Sequence, residues 1–128
     1  MKLFAIKENH LYGKAYTRGA RFTGRLVSVY FLKDLAAKRL MKSNPQKKYL
    51  NRVGISVSKK LGGAVVRNRV KRIVREAYRN IEKEGIKYGM LIVISGRQGA
   101  VTAKSTQVTD ELRQAFAVND MLLPKSDS

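Results

Sequence analysis

One helical stretch constrains this chain more than any other. Between residues 65 and 82, Val66, Val70, Ile73, Val74, Ala77 and Ile81 recur at helical spacing, which sets an apolar stripe along one side of a helix. On the other side Arg67, Lys71, Arg75 and Arg79 form an i, i+4 line roughly 18 Å long. Asn68 and Arg72 run beside that line, and Arg69 lies further round, away from the apolar stripe. The stripe must be buried and the cations cannot be. The helix therefore lies on the outside of a core, with its charged face turned to solvent or to a polyanion. Solvated helix faces usually mix both signs for i, i+4 pairing. Here six Arg or Lys face a single acid, Glu76, which is expected to pair with an arginine of its own helix.

The flanking segments supply the core. Residues 8–18 read as a short helix, with Leu11 and Ala15 on one side, Tyr12 and Tyr16 at i, i+4, and Gly19 as its stop. Residues 25–32 read as a strand: Val27, Val29 and Phe31 point one way, Ser28 and Tyr30 the other. Residues 52–58 alternate in the same manner, with Val53, Ile55 and Val57 inward and Gly54, Ser56 and Ser58 outward. Gly62 and Gly63 end that strand. Residues 90–94 are apolar without alternation, as in a strand covered on both faces. A last helix over 105–118 takes Ser105 as N-cap and buries Val108, Leu112, Ala115 and Phe116. Between the first two strands, residues 34–51 hold a possible helical turn at 35–41, a turn signal at Asn44-Pro45, and the cations Lys38, Arg39, Lys42, Lys47 and Lys48. The pattern predicts a single α+β domain over 1–128, a small central β-sheet packed with helices around a β-α-β unit. Its core runs from about 7 to 118, with a basic insertion at 34–51 and a frayed tail at 119–128.

Charge narrows the partner. The chain carries 27 Lys and Arg against 9 Asp and Glu, a balance of +18. Residues 1–81 hold 21 of the basic and 3 of the acidic side chains, whereas 82–128 hold 6 of each. The excess belongs to one part of the molecule and opposes compaction until a polyanion relieves it. With no cysteine, disulfides and thiolate metal sites are excluded, and a reducing cytoplasm fits. The longest apolar run, residues 90–94, is far below the roughly 20 residues of a membrane span. No membrane partner is expected, and the location is read as cytoplasmic.

The residues of a protein nuclease are not assembled. A two-metal site needs convergent carboxylates, but Glu8, Asp34 and Glu76 are scattered through the basic part. His10 is the only histidine, so there is no imidazole pair for acid–base work; it reads as a surface or capping residue. The loop Ser56-Val57-Ser58-Lys59-Lys60-Leu61-Gly62-Gly63 has hydroxyls, lysines and glycines suited to close phosphate approach. It lacks the phosphate-loop pattern of nucleotide-binding enzymes.

The run SVSKKLGGAVVRNRVKRIVREAYR, residues 56–79, resembles the signature of the protein subunit of bacterial ribonuclease P. The likeness extends over residues 7–118. It implies a β-α-β unit with a left-handed crossover, against the usual right-handed rule, in a fold shared with ribosomal-protein-like domains. It further implies an RNA-based endonuclease that removes the 5′ leader from precursor tRNA, with no catalytic residue on the protein and with magnesium held mainly by the RNA subunit. By resemblance, Arg67, Asn68, Arg69, Lys71, Arg72 and Arg75 bind the catalytic RNA. Tyr12, Tyr16, Tyr30, Ser56 and Lys60 line the cleft for the leader. No protein partner is required.

The sequence departs from the family pattern in three places. Tyr stands at 12 and 16 where Phe is frequent, Gly63 where Asn is common, and 34–51 is longer than the usual link. A ribosomal protein binding structured rRNA is the alternative, since it shares size and charge; it leaves the tyrosine face unexplained. An autonomous metal-dependent nuclease is the third reading. The expectation that separates them is simple. RNA-free protein should not cleave precursor tRNA in magnesium, and Glu76→Gln should leave cleavage by the assembled enzyme nearly unchanged. Cleavage by the RNA-free chain, measured by gel assay, would establish the autonomous nuclease instead.

Overall fold

The computed structural model describes residues 4–6, 9–34 and 51–122. In chain order the elements are β1 (Phe4–Ala5), α1 (Asn9–Arg18), β2 (Ala20–Thr23), β3 (Val27–Lys33), β4 (Arg52–Val57), a 3-10 turn (Lys59–Leu61), α2 (Ala64–Glu84), β5 (Met90–Gly96), a second 3-10 turn (Gln98–Val101) and α3 (Ser105–Val118). One five-stranded sheet has the order β1-β4-β5-β3-β2. β1, β4 and β5 run parallel, while β3 is antiparallel to both β5 and β2. The parallel neighbours β4 and β5, joined through α2, are the expected central β-α-β unit.

β5 lies in the middle, and its lack of alternation has the cause inferred from sequence. Ile92 and Ile94 join Val27, Val29, Phe31 and Val53 in the larger core, covered by Val70, Ile73, Val74, Ala77, Tyr78 and Ile81 of α2 and by Val108, Leu112, Ala115 and Phe116 of α3. Leu91 and Val93 point the opposite way and pack with Ile6 and Ala15, flanked by Leu11, Tyr12, Tyr30 and Leu32. Phe31 meets Phe116 edge-on at 5.0 Å. α2 and α3 are also tied to each other by Asn80 Nδ2 donating to Thr109 Oγ1 at 3.2 Å.

Several local expectations need correction. β2 is an edge strand that the sequence reading missed, because four residues give too little alternation to see. α3 begins one residue beyond its cap: Lys104, not Ser105, is the N-cap, and its backbone N–H donates to Gln107 Oε1 at 2.9 Å. The chain does not fray at Asn119. Met121 is buried, its N–H donates to Phe116 O at 2.7 Å and its carbonyl accepts from Lys87 N at 2.8 Å. The turns expected at 35–41 and Asn44-Pro45 lie outside the described residues, as do residues 123–128.

A polar knot closes the end of the sheet from which residues 35–50 depart. The Arg52 fork donates to Asp34, Nε to Oδ2 at 2.7 Å and Nη2 to Oδ1 at 2.9 Å. The Asp34 side chain is 3% exposed and that of Arg52 12%. Asn51 accepts from Met90 N and donates to Lys87 O, both at 2.9 Å. At the opposite end, Glu111 of α3 accepts from the backbone N–H groups of Arg25, Leu26 and Val27 at 2.9, 2.8 and 2.7 Å, fixing the β2–β3 turn. Gly54 is required by close approach: a Cβ there would sit 2.4 Å from the Tyr12 hydroxyl oxygen.

Removing one member of a buried pair leaves the other charge stranded, at a cost of about 3–5 kcal/mol. Asp34→Ala should therefore lower stability in urea or heat by roughly that amount. A double change, Asp34→Leu with Arg52→Met, should recover most of it, as measured by the unfolding midpoint.

Candidate nucleic-acid interface

α2 begins after Gly62, whose φ of 144° suits only glycine, and Gly63, its extended N-cap. Its 21 residues make a rod about 31 Å long. The buried residues Val70, Ile73, Val74, Ala77, Tyr78 and Ile81 define one side. Tyr78 was not anticipated there; burial pushes its phenol pKa well above the ordinary value, with Asn51 and Glu82 beside it.

The cationic side is narrower than its sequence suggests. An i, i+4 line drifts by about 40° per step, because four residues turn through about 400°. Arg67, the first member, consequently starts at the border of the core: it is half-buried, and its Nε is buried and hydrogen-bonds no described residue. Lys71 is half-buried, and Arg75 and Arg79 are exposed. Asn68 and Arg72 are exposed as well, so the open stripe runs Asn68, Arg72, Arg75, Arg79. Glu76 is exposed but forms none of the ion pairs found among the described residues, contrary to the expected intrahelical pairing.

Arg69 departs most from expectation. Its Nη1 donates to Val101 O at 2.6 Å and its Nη2 to Ala103 O at 3.2 Å. The fork faces the turn between β5 and α3, not the open stripe. Arg69 thus fastens that turn to α2, a role that helical spacing alone does not reveal because the acceptors lie more than thirty residues away.

The tyrosines gather on the opposite face of the sheet. Tyr12 lies over Gly54 and is partly buried; burial, then the neighbouring Tyr16, raises its phenol pKa. Tyr16 is 41% exposed and meets Tyr30 edge-on, centroids 4.9 Å apart at 86°. Arg21 of β2, absent from the expected site, has its guanidinium carbon 5.9 Å from the Tyr30 ring centre. Ser56 is half-buried on the same face as Gly54. Lys59 and Lys60 are exposed on the 3-10 turn, which Ser58 caps by accepting from Lys60 N at 3.2 Å.

The family model for ribonuclease P matches residues 2–119. The chain belongs to the ribonuclease P protein family. It is 34% identical over 116 residues to the ribonuclease P protein component of Clostridium acetobutylicum, covering 91% of this chain and 88% of that one. It is 32% identical over 127 residues to that of Listeria innocua, covering 99% and 97%. The solved structure of the Staphylococcus aureus RNase P protein superposes with a TM-score of 0.71 at 29% identity, over 95% of this chain and all of that one. The fold class and the family expected from the signature are both met, and the ribosomal-protein alternative is not favoured. The chain is a protein component of an endoribonuclease complex whose catalytic RNA is a separate molecule.

A metal site would need several carboxylates converging on one point, and most of those among the described residues are engaged elsewhere; Glu76 is open but stands alone. Both Asp34 oxygens are held by Arg52, both Glu111 oxygens by backbone N–H groups, and Glu84 and Asp110 by Arg113. Among the described residues no cluster of three His, Cys, Asp or Glu could hold a metal ion.

These environments give neighbouring arginines opposite phenotypes. Arg69→Ala should lower the unfolding free energy by about 1–3 kcal/mol by orphaning two carbonyls, with little change in the salt dependence of RNA binding. Arg72→Ala should leave the unfolding midpoint in place and reduce the log–log salt slope by about 1. Thermal melts and filter binding across a salt series would measure both.

Proposed function

We propose that this chain assists the catalytic RNA of ribonuclease P by binding two RNA elements on two separate surfaces. The open stripe of α2 takes the catalytic RNA through Asn68, Arg72 and Arg75, with Arg67 and Lys71 at its border and Arg79 extending it. Arg69 contributes by holding the adjoining turn. The buried, unpartnered Nε of Arg67 supports an acceptor supplied from outside the chain, since a buried donor left unpaired is costly.

The groove between α1 and the sheet takes the single-stranded 5′ leader of precursor tRNA. The observation that carries this reading is the Tyr16–Tyr30 pair: two rings in contact, one 41% exposed, with a guanidinium over the Tyr30 ring. Aromatic faces on a cationic surface hold single strands at roughly 1–3 kcal/mol per stacked base. Tyr12 is the wall of the groove, Ser56 part of its floor, and Lys60 a cation at its margin for phosphate. Magnesium, which supports cleavage, is held mainly by the RNA subunit. The reaction takes place in the cytoplasm, and no helix among the described residues is long and apolar enough to cross a membrane.

Tyr16→Ala and Tyr30→Ala in the assembled enzyme test the groove. Each should weaken binding of precursor tRNA by about 1–3 kcal/mol, the value of a stacked base, and leave mature tRNA, which has no leader, unaffected. Assembly with the catalytic RNA should hardly change. Equal losses for both tRNAs would show that the rings serve packing alone.

A further inference from the structure

Strand register aligns a second feature beside the tyrosines. Thr23 of β2 is opposite Ser28 of β3, Ser28 is opposite Ser95 of β5, and Ser95 is opposite Ser56 of β4. Four hydroxyl residues from four adjacent strands stand in one row across the sheet, about 4.8 Å apart and so ~14 Å from end to end. They share a face with the tyrosine groove, because side chains two residues apart point the same way. Ser28 goes with Tyr30, Ser95 with Val93, and Ser56 with Gly54, over which Tyr12 lies. Arg21, at the Tyr30 ring, donates from Nε to Thr23 Oγ1 at 3.0 Å, so the platform and the row are physically joined.

The other three hydroxyls lack partners. Ser28, Ser56 and Ser95 side chains hydrogen-bond no described residue, although Ser28 is only 7% exposed. The buried side-chain atoms without a partner among the described residues are Arg67 Nε and Tyr78 Oη, so these three serine oxygens keep contact with solvent and are open to a ligand's hydrogen bond. Side chains on this face that served packing alone would be Val or Ala. The chemistry of the row is also specific. Arg21 stands at one end, able to meet a phosphate, while the row itself is uncharged. A serine hydroxyl both donates and accepts, as does a ribose 2′-hydroxyl, the group by which a protein distinguishes RNA from DNA.

We propose that the row Thr23, Ser28, Ser95, Ser56 is a track that hydrogen-bonds the ribose 2′-hydroxyls of single-stranded RNA lying next to the bases stacked on Tyr16 and Tyr30. The track rests on the leader-groove reading above and adds to it a selection for ribose. It also sets a direction: the strand crosses β3, β5 and β4 rather than following any one of them.

The test uses the assembled enzyme, with the unaltered protein and with a Ser28→Ala, Ser56→Ala, Ser95→Ala variant. Each binds precursor tRNA carrying either an all-ribose leader or a leader of 2′-deoxynucleotides. The unaltered enzyme should bind the deoxy leader about tenfold more weakly, as for a few lost neutral hydrogen bonds. The variant should bind the ribose leader up to about tenfold more weakly and lose little further on the deoxy leader, because three of the four hydroxyls of the track are already gone. Removal of unpartnered hydroxyls should leave the thermal midpoint unchanged; Ser56→Ala alone provides a milder variant with the same expected direction. Unchanged affinity of the variant for the ribose leader would overturn the track, as would losses that simply add. Tyr16→Ala, measured in parallel, separates the two ideas. If it also has no effect, the groove reading fails; if it weakens precursor binding while the serine variant does not, only the track fails.

Discussion

Over residues 91–94 β5 has no polar face to give to water. Ile92 and Ile94 enter one core and Leu91 and Val93 the other, so both sides of the sheet must be covered along that stretch. The larger side takes α2 and α3. The smaller takes α1, ten residues long, which is enough to cover the central strands but not the whole sheet. The two surfaces proposed to face RNA follow from that arrangement. α2 commits its apolar stripe to the core and leaves its cationic back outward, and the short α1 leaves the sheet open beside it as a groove.

Charge is then distributed by whether the protein itself supplies a partner. In the neutral part of the chain Arg113 grips Glu84 and Asp110, and Lys87 meets Asp120 at 3.0 Å. These pairs are solvent-exposed and contribute little to stability, but they remove the charge from play. The Asp34–Arg52 pair is different, being buried and bidentate, and it closes the sheet end where residues 35–50 leave and return. On α2 the acid that could have neutralised the stripe, Glu76, takes no cation. Self-repulsion along that face is left for counterions or a polyanionic ligand to relieve, and a ligand that does so also stabilises the fold.

The elements that read clearly from sequence are those whose periodicity extends over several turns or strand residues. α2, α3, β3, β4 and β5 fall within a few residues of their expected bounds, and the two-sided burial of β5 followed from its missing alternation. Pairings between distant residues were not legible. Asp34 looked like a stray acid because Arg52 is eighteen positions away. Glu111 gave no hint that it caps a turn eighty-odd residues upstream. Tyr78 was passed over because it is embedded in a cationic run, where a phenol reads as surface. Among the site residues, side-chain alternation placed Tyr30 and Ser56 on one face correctly, while Arg21 escaped notice because its strand did.

The signature run itself shows why a string of arginines is not one surface. Successive residues turn through about 100°, so Arg67 and Arg69 lie about 200° apart on α2. No single RNA face can use both equally. One falls at the margin of the core beneath the stripe, and the other points to the β5–α3 turn and is consumed by two carbonyls. Asn68 and Arg72 lie between those directions and remain open, joined a turn later by Arg75 and then by Arg79. Counting cations along the sequence therefore overstates the electrostatic footprint of this helix. The number that governs the salt dependence of its binding is the number of heads sharing the open side, and Arg69 earns its place through the geometry of the turn it holds.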